Sequence, residues 1–181
     1  MKFQELGNIT IAGIEDNENL SPAMRKICCD APTILQQFEV LYAQAQRGLQ
    51  NFDKRNNPAS ISINEQAEFD KLLHDIEELR SKCNQSIHAI GEGLKQEITV
   101  AKALSDELRQ RGKVVPPESL KHGLDLVNEA SGLCEGSLAD RIKALQLGAR
   151  ARRCLEKTLH DVLRCWLASN HTRLAGISLK I

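Results

Sequence analysis

A chain of 181 residues with 24 basic and 24 acidic side chains carries no net charge, so no global field draws it to nucleic acid or to an acidic membrane surface. Aromatics are only 3% of it and no apolar run approaches a bilayer span, which argues against a base-stacking platform and excludes a transmembrane helix. With 41% hydrophobic residues it can bury a core of Leu, Ile and Ala, as a helical bundle does.

The opening MKFQELGNITIAGI has one Lys and no long apolar stretch, and does not read as a cleaved secretory signal. Ile9 and Ile11 alternate with Asn8 and Thr10, the pattern of a short strand. Ser21-Pro22 supplies a cap and a first-turn proline. The helix it starts is expected to be short, because Asp30-Ala31-Pro32 interrupts it. Residues 1–32 therefore read as an N-terminal segment with a short helix, and 33–181 as the bundle. Thr33 and Gln36 have capping-box spacing, and Ile34, Phe38, Leu41, Ala45, Leu49 and Phe52 form one apolar stripe behind them. Asp53 to Ser60, with Asn56-Asn57-Pro58, is a loop.

From Asn64 to Gln110 there is no proline, and the alternating three-four series from Phe69 to Leu108 is apolar at ten of twelve positions. That is a coiled-coil-like seam on one long helix. Gly91 and Gly93 are its weak point and predict a bend. Arg111-Gly112 ends it, and Pro116-Pro117 starts the next helix. Leu120, Leu124, Val127 and Ala130 line the return. Ser131, Gly132, Gly136 and Ser137 predict a break or kink, and Ser137 with Asp140 has capping-box spacing. Leu138, Ile142, Leu145, Leu155, Leu159, Val162 and Trp166 then form a broad core stripe. The tail from Arg173 to Ile181 alternates and predicts a strand able to pair with the one near Ile9. The fold class is all-α: an elongated antiparallel bundle of three to five helices about a long central helix, with short terminal strands allowed.

Charge is unevenly placed. From Glu65 to Arg80 there are six acidic and two basic residues, and from Arg141 to Arg173 eight basic and two acidic. Folding the two helices about Val114 sets Arg152 and Arg153 beside Asp75 and Ile76. On that register the patch Arg150, Arg152 and Arg153 pairs inside the bundle; left unpaired, it would suit a phosphate or an acidic partner.

Motifs for chemistry are scarce. Asp70/His74, His88/Glu92 and Glu156/His160 are four apart, ordinary helix-surface pairs and not the Glu-x-x-His of di-metal bundles. No Cys-x-x-Cys, P-loop, dinucleotide turn or nucleophile elbow occurs, so no metal and no cofactor is expected. Ser86-Ile-His88-Ala-Ile-Gly91-Glu92-Gly-Leu94 resembles the His-bearing helix of phosphotransfer domains over fewer than ten residues. Those domains carry Lys and Gly where Gly91 and Glu92 stand here, and the resemblance implies a phosphohistidine at His88. Six cysteines (28, 29, 83, 134, 154 and 165) show no disulfide framework. They fit a reducing compartment, the cytoplasm or a host cytosol into which the chain is delivered.

The functional expectation is a non-enzymatic protein–protein interaction module: an adaptor, a chaperone-like binder or a secreted effector. The alternatives are histidine phosphotransfer at His88 and self-association as a structural subunit. The expected surface is the end of the long hairpin: Ile87, Ile90, Leu94, Ile98, Leu104 and Leu108 on one helix, Leu120, Leu124 and Val127 on the other. Two helices cannot hide that much apolar surface, so residues 1–31 folded back, a second copy or a helix of a protein partner should cover it, and Pro22 and Pro32 in the short N-terminal segment favour the last two.

Overall fold

The computed structural model describes residues 18–54, 63–111 and 115–178. They form four helices: α1, Pro22–Lys54; α2, Ile63–Arg111; α3, Pro117–Leu133; and α4, Leu138–Ser178. The fold is all-α, with no strand among the described residues. The strand expected near Ile9 lies outside them. The strand expected from Arg173 is corrected: α4 runs on through Ser178. Extending an existing helix fixes one residue per hydrogen bond gained, and six alternating residues are too short a signal to oppose it.

The short first helix is corrected too. α1 runs 33 residues with Pro32 inside it. Proline forfeits the bond to the Cys28 carbonyl and costs about 3 kcal/mol in a helix interior. Cys28 and Ala31 are both buried, and their burial offsets that cost. α2 matches the expected long helix to within a residue at each end and continues through Gly91 and Gly93. Roughly 1 kcal/mol per glycine does not break a helix held by buried Ile90 on one side and buried Leu94 on the other.

By its packing the chain divides inside α2, between Ile90 and Gly91. The first unit, residues 22–90, holds α1 and the first half of α2. A Cβ on Gly48 would lie 3.6 Å from the Phe69 ring, while Val40 and Leu41 share a groove with Leu79, so the two helices run antiparallel. The buried positions are mostly small: Cys28, Ala31, Ala45, Cys83, with Ile76 and Ile90. Phe38 and Tyr42 stack with ring centroids 5.8 Å apart.

The second unit takes residues 18–21 and 91–178. The second half of α2, α3 and α4 enclose one core of Ala101, Leu108, Val115, Leu126, Val127, Ala151, Leu155 and Val162. The turn between α3 and α4 is a full reversal. Ser137 caps α4 as its spacing predicts: the Asp140 N–H donates to Ser137 Oγ at 3.2 Å, and Ser137 N–H donates back to Asp140 Oδ2 at 3.0 Å. A Cβ on Gly136 would sit 2.6 Å from Asp140 Oδ2, so the box needs glycine there. Lys143 meets Glu129 at 3.3 Å and Gly123 meets Leu155, which makes α3 and α4 antiparallel. Their approach is close: a Cβ on Gly123 would lie 2.5 Å from Leu155 Cδ2. α4 also passes α2, where a Cβ on Gly148 would lie 3.2 Å from Glu97 Cβ. Leu20 is buried in this unit, and Arg153 Nη2 donates to the Glu18 carbonyl at 2.6 Å.

Candidate functional site

The nine hairpin residues do not form an open face. Ile90, Leu94, Leu108 and Val127 are buried, and Ile87, Ile98, Leu104, Leu120 and Leu124 are half-buried. Leu108 and Val127 belong to the core of the second unit, with Ile98, Leu104 and Leu120 packed on it. The expectation failed on topology. It let the last helix return alongside the acidic start of α2; the second reversal at residues 134–137 instead lays α4 over the half of α2 that carries Ile98, Leu104 and Leu108, while Ile87 and Ile90 belong to the first unit.

The same reversal corrects the register of the arginines. The partner of Arg152 is Glu97, with Nε donating to Oε2 at 2.6 Å, and Nη1 donates to Glu156 at 3.0 Å. Glu97 first, then Glu156, hold the guanidinium pKa above its ordinary value. Arg150 is exposed, Arg153 holds the Glu18 carbonyl, and Ala149 and Ala151 between them are fully buried. The cluster is thus two faces of one helix, one packing and one solvated.

Hydroxyls with reactive potential are turned to backbone. Ser105 Oγ donates to the Lys102 carbonyl at 2.9 Å, and Thr158 Oγ1 to that of Cys154 at 2.9 Å. Burial pushes the Cys28 thiol up to about 12, with Cys29 adding to the shift; burial and then Glu39 raise Cys83. Neither is poised as a nucleophile. The six cysteines are free, and Cys165 alone among them is exposed. Among the described residues no group of three or more His, Cys, Asp or Glu is placed to hold a metal, and no helix is long and apolar enough to cross a membrane. His88 is exposed on α2, one turn before Glu92.

Among the described residues each unit carries a groove. The groove of about 460 Å³ in the second unit is lined by Lys95, Lys102 and Arg141 but also by Glu92 and Glu135. Its hydroxyls are used locally, Thr99 on the Lys95 carbonyl and Ser131 on that of Val127. Both charge signs line it, so it selects no single ligand charge. The groove of about 340 Å³ in the first unit is lined by Gln36, Gln37, Val40, Leu41 and Leu79, with no charged side chain. Of its apolar lining, Val40 is exposed; Tyr42 and Leu49 are exposed on the other side of α1.

Sequence reasoning missed this surface. The available signal was Val40, an apolar residue opposite the α1 stripe, where a solvated helix face is polar. It also placed Trp166 in the core. Val162 is the last buried position of α4 among the described side chains, and Trp166 is 58% exposed. No family model, no curated protein and no solved structure matches this chain.

Proposed function

We propose that the chain is a non-enzymatic protein–protein interaction module that binds through the α1/α2 hairpin. The observation that carries this reading is the uncharged groove of Val40, Leu41 and Leu79, in which Val40 is exposed. Apolar surface left in water marks an interface more often than a catalytic site, and an apolar groove on two helices suits a helix with anchors spaced one turn apart. The test is Val40→Asp, an exposed position where the charge leaves the buried residues in place. Quantitative affinity capture with the wild type and the variant should show partners lost from the variant at unchanged thermal stability. Equal recovery of every partner by both proteins overturns the reading.

A second reading keeps His88 as a phosphoacceptor, supported by its exposure on α2. It requires acid-labile phosphate on the wild type and none on His88→Gln.

A further inference from the structure

We propose that α2 is hinged at Gly91-Glu92-Gly93 and that residues 18–21 are the strap that keeps the hinge shut. α2 is one helix of 49 residues, yet its packing changes hands inside it. Ile90 is fully buried in the first unit, and Leu94 is buried in the second. Between them stand two glycines and the exposed Glu92, so no side chain there is held in either core. A Cβ on Gly91 would meet nothing within 4 Å. The helix therefore crosses from one unit to the other on its backbone hydrogen bonds, at the residue type that supports them least. Local opening is drawn to places with few buried contacts.

Among the described residues the chain passes between the units at one other point, from Ser21 to Pro22. On one side that joint is anchored: Leu20 is buried in the second unit, and Arg153 Nη2 donates to the Glu18 carbonyl at 2.6 Å. On the other side α1 starts at once with Pro22, whose ring fixes φ and leaves little slack. Within the first unit α1 and α2 run antiparallel, which sets the start of α1 at the Ile90 end of that unit. Both connections thus leave the first unit from the same end. Opening α2 at the glycines pulls on the strap, and a docked strap resists. With the strap docked α2 behaves as one rod, and with it released as two.

Amide hydrogen exchange of the full chain, followed residue by residue by NMR, tests both parts. The amides of residues 92–97 donate to carbonyls four residues earlier, across the two glycines. They should exchange at least tenfold faster than those of 80–87 and 101–108 on either side, a local maximum within α2. Gly91→Ala should slow them about fivefold, the helix preference of alanine over glycine. Arg153→Ala should speed them about fivefold, the net worth of one hydrogen bond, and leave residues 101–108 at the wild-type rate. Leu20→Ala removes the buried anchor and should speed them further. Exchange without a maximum at 92–97 overturns the inference. So does Arg153→Ala if it leaves those amides unchanged, or if it speeds residues 101–108 in step with them, since the segment would then cover the core and not latch the hinge.

Discussion

The two units are built from similar helices and differ in how many share a core. Three helices in residues 91–178 bury Leu94, Leu108, Leu126, Leu138, Ile142, Leu145 and Leu155, and among the described side chains leave only Trp166 and Leu167 as large exposed apolar residues. Two helices in residues 22–90 bury chiefly Cys and Ala, and leave Val40, Tyr42, Leu49, Ile63 and Leu73 exposed. A helix with a broad apolar stripe needs neighbours on both sides of that stripe. α4 gives the second unit its third helix, and no third helix occurs among the described residues of the first unit. On the proposed reading, stability and binding are separated along one chain, with more apolar surface left exposed in the first unit than in the second.

The sharpest way to break this contrast is a pair of truncations. Leu155→Ala empties a fully buried site in the second unit and should cost about 2–5 kcal/mol, a large fall in thermal midpoint. Leu49→Ala removes a side chain that is half exposed in the first unit and should stay within about 0.5 kcal/mol of wild type. Comparable losses at the two sites would mean that Leu49 is covered in solution, and the contrast between the units would fall.

Glycines give a smaller and opposite-signed pair. Gly123→Ala drives a methyl into Leu155 at the α3/α4 contact, an overpacking cost of about 1–3 kcal/mol. Gly91→Ala meets nothing within 4 Å on a continuous helix and should stabilise by up to about 1 kcal/mol. Chemical denaturation of the two variants should move the midpoint in opposite directions. A destabilising Gly91→Ala would show that α2 needs its flexibility there.

Much of the fold was legible because local rules and burial agreed. The three-four seam located α2 to within a residue at each end, and Ser137 with Asp140 marked the start of α4. Legibility failed where a local rule was outweighed or was silent. Pro32 breaks a helix in isolation, but buried Cys28 and Ala31 hold α1 together around it. The glycines at 132 and 136 announced a break without saying whether the chain kinks or reverses there. That one choice decides whether Arg152 faces Asp75 or Glu97, and whether Leu108 is surface or core. The small residues Gly123 and Gly148 were the missing clue: each lies where α4 comes close to another helix, and neither belongs to a turn. The groove was illegible for another reason. Periodicity reports which face of a helix is apolar, whereas the number of helices available to cover that face is a property of the assembled chain.

The last and smallest effect sharpens the contrast through pH. Among the described residues, one carboxyl in each unit is held below its usual pKa, by different means. Glu78 in the first unit is lowered by its hydrogen bond and charge pairing with Lys82, 2.6 Å away. Asp140 in the second is lowered by hydrogen bonds from the Ser137 hydroxyl and backbone N–H, with Lys143 a lesser cause. Because both folded pKa values are depressed, what each adds to stability is complete above the ordinary carboxylate pKa and is lost as pH falls through the depressed one. Salt should separate them. A partner's charge is screened within a Debye length of about 3 Å at 1 M ionic strength, whereas a short hydrogen bond to the carboxylate from a neutral donor is far less so. Carboxyl titrations followed by NMR should therefore show the Glu78 pKa rising toward its ordinary value in concentrated salt while that of Asp140 stays depressed. Ser137→Ala should reverse the behaviour at Asp140 alone, raising its pKa at every ionic strength and costing about 1 kcal/mol as a lost cap. If Asp140 follows salt as Glu78 does, then Lys143 and not the cap sets its pKa, and the start of α4 is held by an ion pair of the surface type.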